Sequence, residues 1–204
     1  MRQEPITSKA KQVIEKLRLP GSFYLAGGTS LAIQLGHRVS EDLDFFNLEP
    51  IPRDFLQTIE KQLIGFSLAV SVNTEDELSL VTGETKLTFL AYPFPVLLPF
   101  VVYEGLKLAS VLEIAAMKAY ALGRRGTLKD YVDLYFVLLE GQSIKEVADT
   151  AEKKFGELFN TRLFLEQLIY LKDLPEENIR FLRSAVSRQE LQRFFAGKVK
   201  KEFS

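Results

Sequence analysis

The chain has 204 residues, of which 47% are hydrophobic and 26% charged, and its formal net charge is −1. This balance is typical of a folded globular protein and excludes a surface that is basic throughout, but not a local basic patch. The absence of cysteine excludes disulfides and thiolate metal sites, and the single histidine excludes a site built from several imidazoles. A metal would therefore be held mainly by oxygen ligands, which favours Mg²⁺ or Mn²⁺.

No segment has the pattern of an export signal or a membrane span. The first 20 residues lack an apolar core behind a basic start, so no signal peptide is predicted. The longest apolar run, residues 92–103, contains three prolines and is too short to cross a bilayer. We therefore expect a cytoplasmic protein with no membrane partner.

In chain order, the first half alternates between helical and strand patterns. The predicted helices cover residues 7–18, 30–35 and 52–64. The predicted strands cover residues 23–26, 43–46, 66–72, 77–82 and 85–92, with one more within 96–103. The strands on either side of Gly83 and Glu84 should form a hairpin. Thr29 or Ser30 should cap the helix that ends at Gly36.

After about residue 105 the pattern is almost wholly helical. Ser110 and Glu113 have the spacing of a capping box, and Ser143 and Glu146 repeat it. The predicted helices cover residues 110–122, ending at Gly123, residues 127–140, capped by Thr127, a segment that follows Ser143, and residues 160–173 and 187–202. The expected fold is α+β, with a mixed sheet flanked by helices in residues 1–105 and a helical bundle in residues 106–204.

Two aspartates stand two residues apart at the strand predicted over residues 43–46. Side chains at this spacing point to the same face of a strand, so Asp42 and Asp44 would place two carboxylates together. Such a pair repels unless a cation lies between its members, and divalent metals in phosphoryl or nucleotidyl transfer use this arrangement. A solvated strand edge without function is the alternative, because acids at this spacing are common.

A glycine turn precedes the aspartate pair. Gly27 and Gly28 permit close backbone approach at the start of a helix, where free N–H groups can face a bound phosphate. Thr29 or Ser30 could add a hydroxyl. An ordinary strand-to-helix turn is the alternative, but the turn and the aspartates together predict one site for a metal and a nucleotide.

The run GGTSL at residues 27–31, followed by GHRVSEDLDFF at residues 36–46, resembles the signature of the AbiEii/AbiGii toxin-type nucleotidyltransferases of the DNA polymerase β-like superfamily. The resemblance implies a nucleotidyltransferase-type mixed sheet. It also implies that Asp42 and Asp44 hold Mg²⁺ or Mn²⁺. The nucleotide-binding residues that it implies in this part of the chain are Gly27, Gly28, Thr29, Ser30, Arg38 and Ser40.

A second group of residues, within 114–136, resembles later motifs of the same family: Lys118, then Arg125, then the run KDYVD at residues 129–133. On an otherwise apolar helix, Lys118 can neutralise a triphosphate, while Arg125 can bind phosphate oxygens bidentately. Asp130 and Asp133 share one helix face, where they could orient Lys129 or Arg125, or accept the proton of an attacking hydroxyl. A solvated, salt-bridged helix–turn–helix is the alternative.

One departure from the superfamily concerns a third carboxylate, which such enzymes usually carry on a later core strand. The best candidate strand, residues 86–94, has Thr88 but no acid. The general base would then be Asp130 or Asp133, or would be missing. This favours, as an alternative function, a nucleotide-binding sensor with weak or no catalysis.

The sequence and the resemblance together predict a metal-dependent nucleotidyltransferase. It would transfer a nucleoside monophosphate from an NTP to an RNA, plausibly a tRNA 3′ end, or to a protein side chain. The resemblance implies the toxin of a toxin–antitoxin or phage-defence pair, and hence a cognate antitoxin as a partner. A phosphotransferase on the same scaffold is a further alternative.

Overall fold

The computed structural model describes residues 4–203, and these contain one seven-stranded mixed sheet. Its strands are β1 (Tyr24–Ala26), β2 (Leu43–Asn47), β3 (Ala69–Asn73), β4 (Glu77–Thr82), β5 (Thr85–Ala91), β6 (Val101–Tyr103) and β7 (Leu106–Leu108). Their order is β3-β4-β5-β2-β1-β7-β6. The β2–β5 and β1–β7 pairs are parallel, and the other neighbouring pairs are antiparallel.

Eight helices accompany the sheet over the same residues: α1 (Ser8–Lys16), α2 (Gly27–Leu35), α3 (Phe55–Gln62), α4 (Val111–Arg125), α5 (Leu128–Leu139), α6 (Ile144–Phe155), α7 (Thr161–Leu168) and α8 (Arg188–Phe203). The predicted α+β class, with a mixed sheet followed by helices, is confirmed. None of these helices is both long enough and apolar enough to cross a membrane.

Each face of the sheet has its own hydrophobic core, because successive strand residues point to opposite faces. Phe45 and Phe89 lie on one face, with their rings stacked at 5.1 Å, and pack with side chains of α1 and α3. Phe46 and Tyr24 lie on the other face and pack with side chains of the C-terminal helices. Asp44 alternates with Leu43 and Phe45 along β2, so it points to the same face as Phe46. Helix α4 covers this face.

Helix capping follows the predicted pattern only in part. Ser143 and Glu146 form the predicted box at the start of α6. At the start of α4, Ser110 accepts the N–H of Glu113, but the Glu113 carboxylate does not reach back. It accepts the N–H groups of Leu97 and Leu98 and pairs with Lys154 at 2.7 Å. This half of the prediction was wrong because a buried charge found stronger partners across the fold.

Three predicted helix boundaries were also wrong. The helix predicted over residues 160–173 is α7, which ends at Leu168. Helix α2 begins at Gly27, so Thr29 and Ser30 lie in its first turn and do not cap it. Helix α4 continues through Gly123 to Arg125, because packing can outweigh the low helix propensity of a single glycine. At Gly123, α4 packs against α7: the Leu163 side chain lies 3.6 Å from the position that a Cβ on Gly123 would take.

The boundary predicted at residues 105/106 falls between β6 and β7, which are antiparallel neighbours in the sheet. Strand β7, which the sequence analysis missed, pairs with β1. The division of the chain into a nucleotidyltransferase core and a helical domain stays a prediction.

Residues 169–187, which we call the C-terminal strap, connect α7 to α8 and run back to the loop before β2. The N–H of Val39 donates to the carbonyl of Arg180 at 2.8 Å, and the N–H of Leu182 donates to the carbonyl of His37 at 2.9 Å. Arg38 and Phe181 form an isolated antiparallel bridge between these two bonds. The strap is therefore held against the segment that leads to Asp42 and Asp44.

Candidate functional site

The two aspartates lie where β2 meets a cleft. Asp44 pairs in register with Ala26 on β1 and with Thr88 on β5, so Thr88 occupies the neighbouring position on the same face. Burial raises the pKa of Asp44, the negative charge of Asp42 raises it further, and a hydrogen bond from Thr88 opposes the shift. Asp44 is thus a largely desolvated carboxylate on which the strongest charge effect comes from a second carboxylate, that of Asp42.

The glycine turn lies directly against this carboxylate. Gly27 has φ +67°, and a Cβ there would lie 3.0 Å from Asp44 Oδ2. A Cβ on Gly28 would lie 2.3 Å from a terminal guanidinium nitrogen of Arg38, which is too close for a non-bonded contact. Both positions therefore require glycine, and together they bring the N-terminus of α2, with its free N–H groups, next to Asp44.

The hydroxyls of Thr29 and Ser30 do not face the cleft. Thr29 donates to the carbonyl of Asp42, and its Oγ1 lies 2.8 Å from Ser40 Oγ. Ser30 is fully buried, with its Oγ 3.5 Å from the carbonyl oxygen of Ala109. The expectation that these hydroxyls add to a phosphate site is corrected, because both point inward and hold the backbone around the site.

A buried ion cluster lies beneath the cleft, centred on Asp133. The Asp133 side chain is 0% exposed, and both its oxygens are engaged. Oδ1 accepts from His37 Nε2 and Arg38 Nε, each at 2.7 Å. Oδ2 accepts from a terminal nitrogen of Arg38 at 2.9 Å and lies 2.7 Å from Lys118 Nζ. Burial alone would raise the pKa of Asp133, but the charges of Lys118 and Arg38 outweigh it and hold the pKa far below its usual range.

Lys118 joins this cluster to the cleft. Its Nζ also lies 2.7 Å from Asp130 Oδ1, and the two carboxylates raise the pKa of Lys118 against the opposing effect of burial. The other oxygen of Asp130 accepts the N–H and hydroxyl of Thr127 at 2.9 and 3.0 Å, completing a capping box on α5. Both aspartates therefore bind Lys118, and their hydrogen bonds do not go to Lys129 or Arg125, which was one expectation from the sequence.

His37 is a buried anchor of the loop. Burial lowers its pKa more than Asp133 raises it, so the ring is neutral at pH 7 and Nε2 carries the donated proton. Its Nδ1 has no hydrogen-bond partner among residues 4–203. His37 is thus placed as an anchor of the loop through Asp133, and it lines neither cavity at the aspartates.

Two cavities meet at the aspartates. The first, which we call the polar cavity, has a volume of about 240 Å³ and extends toward the C-terminal strap. The second, which we call the mixed cavity, has a volume of about 650 Å³ and lies between the sheet and α4. Both are lined by Gly28, Asp42, Asp44, Lys118, Arg125 and Asp130. The residues predicted from two distant parts of the sequence are thus brought together at the junction.

The two cavities differ in their other residues. The polar cavity adds Arg38, Ser40, Lys129, Asn178 and Arg180. The mixed cavity adds Gly27, Lys86, Thr88, Leu90, Tyr92, Met117 and Tyr120. Thr29, Ser30 and Asp133, which were predicted as site residues, line neither. Sequence analysis missed Asn178 and Arg180, because no local pattern connects the strap with a site that lies far earlier in the chain.

The donor set at the junction fits a divalent metal. Asp42 and Asp44 supply carboxylate oxygens, the ligands that Mg²⁺ and Mn²⁺ prefer, and a cation between them would offset the repulsion that raises the pKa of Asp44. Residues 4–203 contain no group of three or more His, Cys, Asp or Glu side chains arranged to hold a metal. Two protein ligands suffice for Mg²⁺, which usually completes its shell with water and substrate phosphate.

Comparisons with known proteins place the chain in a family. The family model described as the nucleotidyl transferase AbiEii toxin of type IV toxin–antitoxin systems matches residues 15–77 and 64–202. The uncharacterized protein aq_aa25 of Aquifex aeolicus is 32% identical over 196 residues, which cover 94% of this chain and 93% of that protein.

Two solved structures show the same fold. A putative nucleotidyltransferase from Helicobacter pylori superimposes with a TM-score of 0.57 at 20% identity, covering 95% of this chain and 93% of that one. MenT4, a nucleotidyltransferase toxin from Mycobacterium tuberculosis, superimposes with a TM-score of 0.59 at 18% identity, covering 96% of this chain and 81% of that one. At these identities the likeness is one of fold.

Proposed function

The chain belongs to the AbiEii family of nucleotidyltransferase toxins, and we propose that it transfers a nucleoside monophosphate from an NTP to a hydroxyl of an RNA or a protein side chain. The observation that carries this proposal is the junction of the two cavities. There the aspartate pair, the glycine turn and Lys118 lie around one point, although they come from separate segments of the chain.

In this proposal Asp42 and Asp44 hold Mg²⁺ or Mn²⁺, and Gly27 and Gly28 keep the N-terminus of α2 open to phosphate. The metal, when bound, supplies positive charge for the reacting phosphate and the leaving pyrophosphate. Asp44 lies beside Thr88 of β5 in the sheet, and Gly27 leaves room for its carboxylate, since a Cβ there would lie 3.0 Å from Oδ2.

Lys118 has the role of a fixed positive charge beside the reacting phosphate. Its ammonium is buried and remains protonated because Asp130 and Asp133 hold it. A preorganised charge of this kind stabilises a transition state without reorganisation. Arg125 and Lys129, both exposed on the cleft, would bind further phosphate oxygens, and Arg38 and Ser40 would shape the polar cavity from its loop side.

The two aspartates of α5 have different proposed roles. Both aspartates have both oxygens bonded, but Asp133 is fully buried and lines neither cavity, so we assign it as a positioning residue for Lys118 and Arg38. Asp130 lines both cavities and its pKa is lowered, since the charge of Lys118 outweighs the effect of burial. It is therefore ionised at neutral pH and is the candidate acceptor for the proton of the attacking hydroxyl.

The type IV family supports a toxin role with a cognate antitoxin as a partner in the cell. We further propose that the protein acts in the cytoplasm, where NTPs and RNA are available, and that the pair serves in phage defence. Co-expression with the product of a neighbouring gene, scored by rescue of host growth, tests this part.

The experiment that tests the activity is incubation of the purified protein with each α-³²P NTP, Mg²⁺ or Mn²⁺, and total bacterial RNA. Label on RNA that is lost in Asp42→Asn/Asp44→Asn and kept in Asp149→Asn, an exposed carboxylate on α6, is the expected result. Label on the protein fraction instead would identify a protein acceptor. Label only from γ-³²P NTP would indicate phosphotransfer, and NTP binding without any label would indicate a sensor; either outcome would contradict the proposal.

A further inference from the structure

The C-terminal strap contributes to the wall of the polar cavity. Asn178, Ile179 and Arg180 line it together with Gly28, Asp42 and Asp44. Two hydrogen bonds set their position: the N–H of Val39 donates to the Arg180 carbonyl, and the N–H of Lys129 donates to the side-chain carboxylate of Glu177 at 2.9 Å. The strap is thus bonded to two elements that also line the cavity.

The cations around the polar cavity fall into two groups. Arg38 and Lys118 are buried, and their charges are matched by Asp130 and Asp133. The side chains of Arg125, Lys129 and Arg180 are exposed, and none of them forms an ion pair with any residue from 4 to 203. The same cavity carries the acids Glu41, Asp42 and Asp44, and a metal bound by the two aspartates would offset their charge. The three exposed cations then remain available to a multiply charged anion.

The residues that line both cavities set the orientation of a bound nucleotide. The reacting phosphate must lie at Asp42 and Asp44, where the cavities meet, so the two ends of the nucleotide extend into different cavities. Among residues 4–203, only the mixed cavity has aromatic side chains, Tyr92 and Tyr120, that can stack on a base, although it also carries Lys86 and Arg124. The polar cavity has no aromatic residue from that part of the chain and offers Arg125, Lys129 and Arg180 to the remaining phosphates.

We propose that the polar cavity binds the triphosphate tail of the NTP and that Arg180, carried by the C-terminal strap, is one of its phosphate ligands. This inference rests on the proposed function and adds to it a residue from a part of the chain outside both sequence motifs. Arg180 lines the same cavity as Gly28 at the start of α2, so the triphosphate would contact both the helix N-terminus and a guanidinium.

The experiment measures binding by calorimetry in Mg²⁺, with inorganic tripolyphosphate, the four NTPs and the four NMPs as probes. The variants are Arg180→Ala and Arg180→Lys. Arg183→Ala is the matched control, because Arg183 lies on the same strap but pairs with Glu140 and lines neither cavity. Circular dichroism and thermal unfolding of each variant verify that the strap is still folded.

We expect Arg180→Ala to weaken tripolyphosphate and NTP binding by the same factor, about tenfold, as for loss of a charge-assisted hydrogen bond. NMP binding should change less than twofold, Arg180→Lys should lie between wild type and alanine, and Arg183→Ala should match wild type. In the transfer assay Arg180→Ala should raise KM for the NTP more than it lowers kcat.

Two results would overturn the inference. Unchanged tripolyphosphate binding in Arg180→Ala would remove Arg180 from the site, and weakened binding of RNA alone would assign Arg180 to the acceptor. Failure of the proposed function gives a different pattern: wild type would bind tripolyphosphate with the expected dependence on Arg180 and yet transfer no label from any NTP.

Discussion

Asp44 and Asp133 are both buried carboxylates near one lysine, but their surroundings have opposite effects. Around Asp133 the fold places three donors, and its pKa falls far below the usual range in spite of burial. Around Asp44, burial and the charge of Asp42 outweigh the opposing effects of Thr88, Lys118 and Lys86, and its pKa rises. Asp133 is thus paired within the protein, whereas Asp44 forms no ion pair with any residue from 4 to 203 and would gain from a bound cation. This contrast separates a structural charge from a ligand-binding one.

The largest effect on stability that we expect comes from removing the Asp133 carboxylate. Asp133→Ala leaves Arg38 and Lys118 buried with less compensation, so the free energy of unfolding should fall by about 3–5 kcal/mol. Urea unfolding followed by circular dichroism measures this, with Asp149→Ala as an exposed control. A loss below about 1 kcal/mol would show that the cluster is not the structural centre that we describe.

Removal of the Asp44 carboxylate should lower activity without disrupting the fold. Asp44→Asn should lower transfer by at least about 10²-fold, as for loss of an electrostatic group at a reacting centre. Without divalent metal the variant should be more stable than wild type at pH 7. Addition of Mg²⁺ should stabilise wild type only. Equal stabilisation of both proteins by Mg²⁺ would contradict metal binding by Asp44.

The pH dependence of stability sharpens the same comparison. A raised folded pKa means that the contribution of Asp44 is present below its unfolded pKa, about 3.9, and is lost as the pH rises through its folded pKa. A lowered folded pKa means the reverse for Asp133, whose contribution is present above about pH 3.9 and is lost as the pH falls. The stability advantage of Asp44→Asn should therefore disappear below about pH 4. Unfolding measured from pH 3 to 8 tests both signs.

Substitution of Gly28 should have an effect of intermediate size on stability. Gly28→Ala places a methyl group where the Arg38 guanidinium now lies, so Arg38 must move from Asp133 or the turn must shift. We expect a loss of about 1–3 kcal/mol, measured by thermal unfolding. Gly197→Ala is the control, because this helical glycine has open space around it and should stabilise by about 0.5–1 kcal/mol. Similar shifts in both variants would rule out a special role for Gly28.

The smallest effect concerns the residue in the place of a third carboxylate. Thr88→Val keeps the shape of the side chain but removes the hydrogen bond to Asp44. We expect a loss of stability of about 1 kcal/mol and weaker Mg²⁺ binding, measured by thermal shift over a metal titration. Unchanged Mg²⁺ affinity would indicate that Thr88 does not position the carboxylate.

The sequence allowed prediction of those parts of the site that local pattern encodes. The aspartate pair, the glycine turn and Lys118 each have a spacing with a physical meaning, and the structure brings them together. The same local reasoning predicted the hairpin of β4 and β5 and the box that starts α6.

Long-range pairings were out of reach of such reasoning. Asp133 is ionised and inaccessible because it meets His37 and Arg38, which precede it by 96 and 95 residues. Glu113 has the correct spacing to cap α4 but binds Lys154 instead, 41 residues later. Strand β7 has only three residues and is defined by its neighbours in the sheet. In each case a tertiary contact outweighed a local preference.

Main-chain bonds join the C-terminal strap to the loop before β2, so this loop gains its partner only late in synthesis of the protein. A ribosome makes Asp44 long before it makes Arg180, 136 residues later (180 − 44). At about 5–20 residues per second this interval lasts roughly 7–27 s. During that interval the loop lacks the partner that holds it, so the nascent chain has its aspartates but not its finished cleft. The cleft is therefore complete only when the strap has emerged and bound.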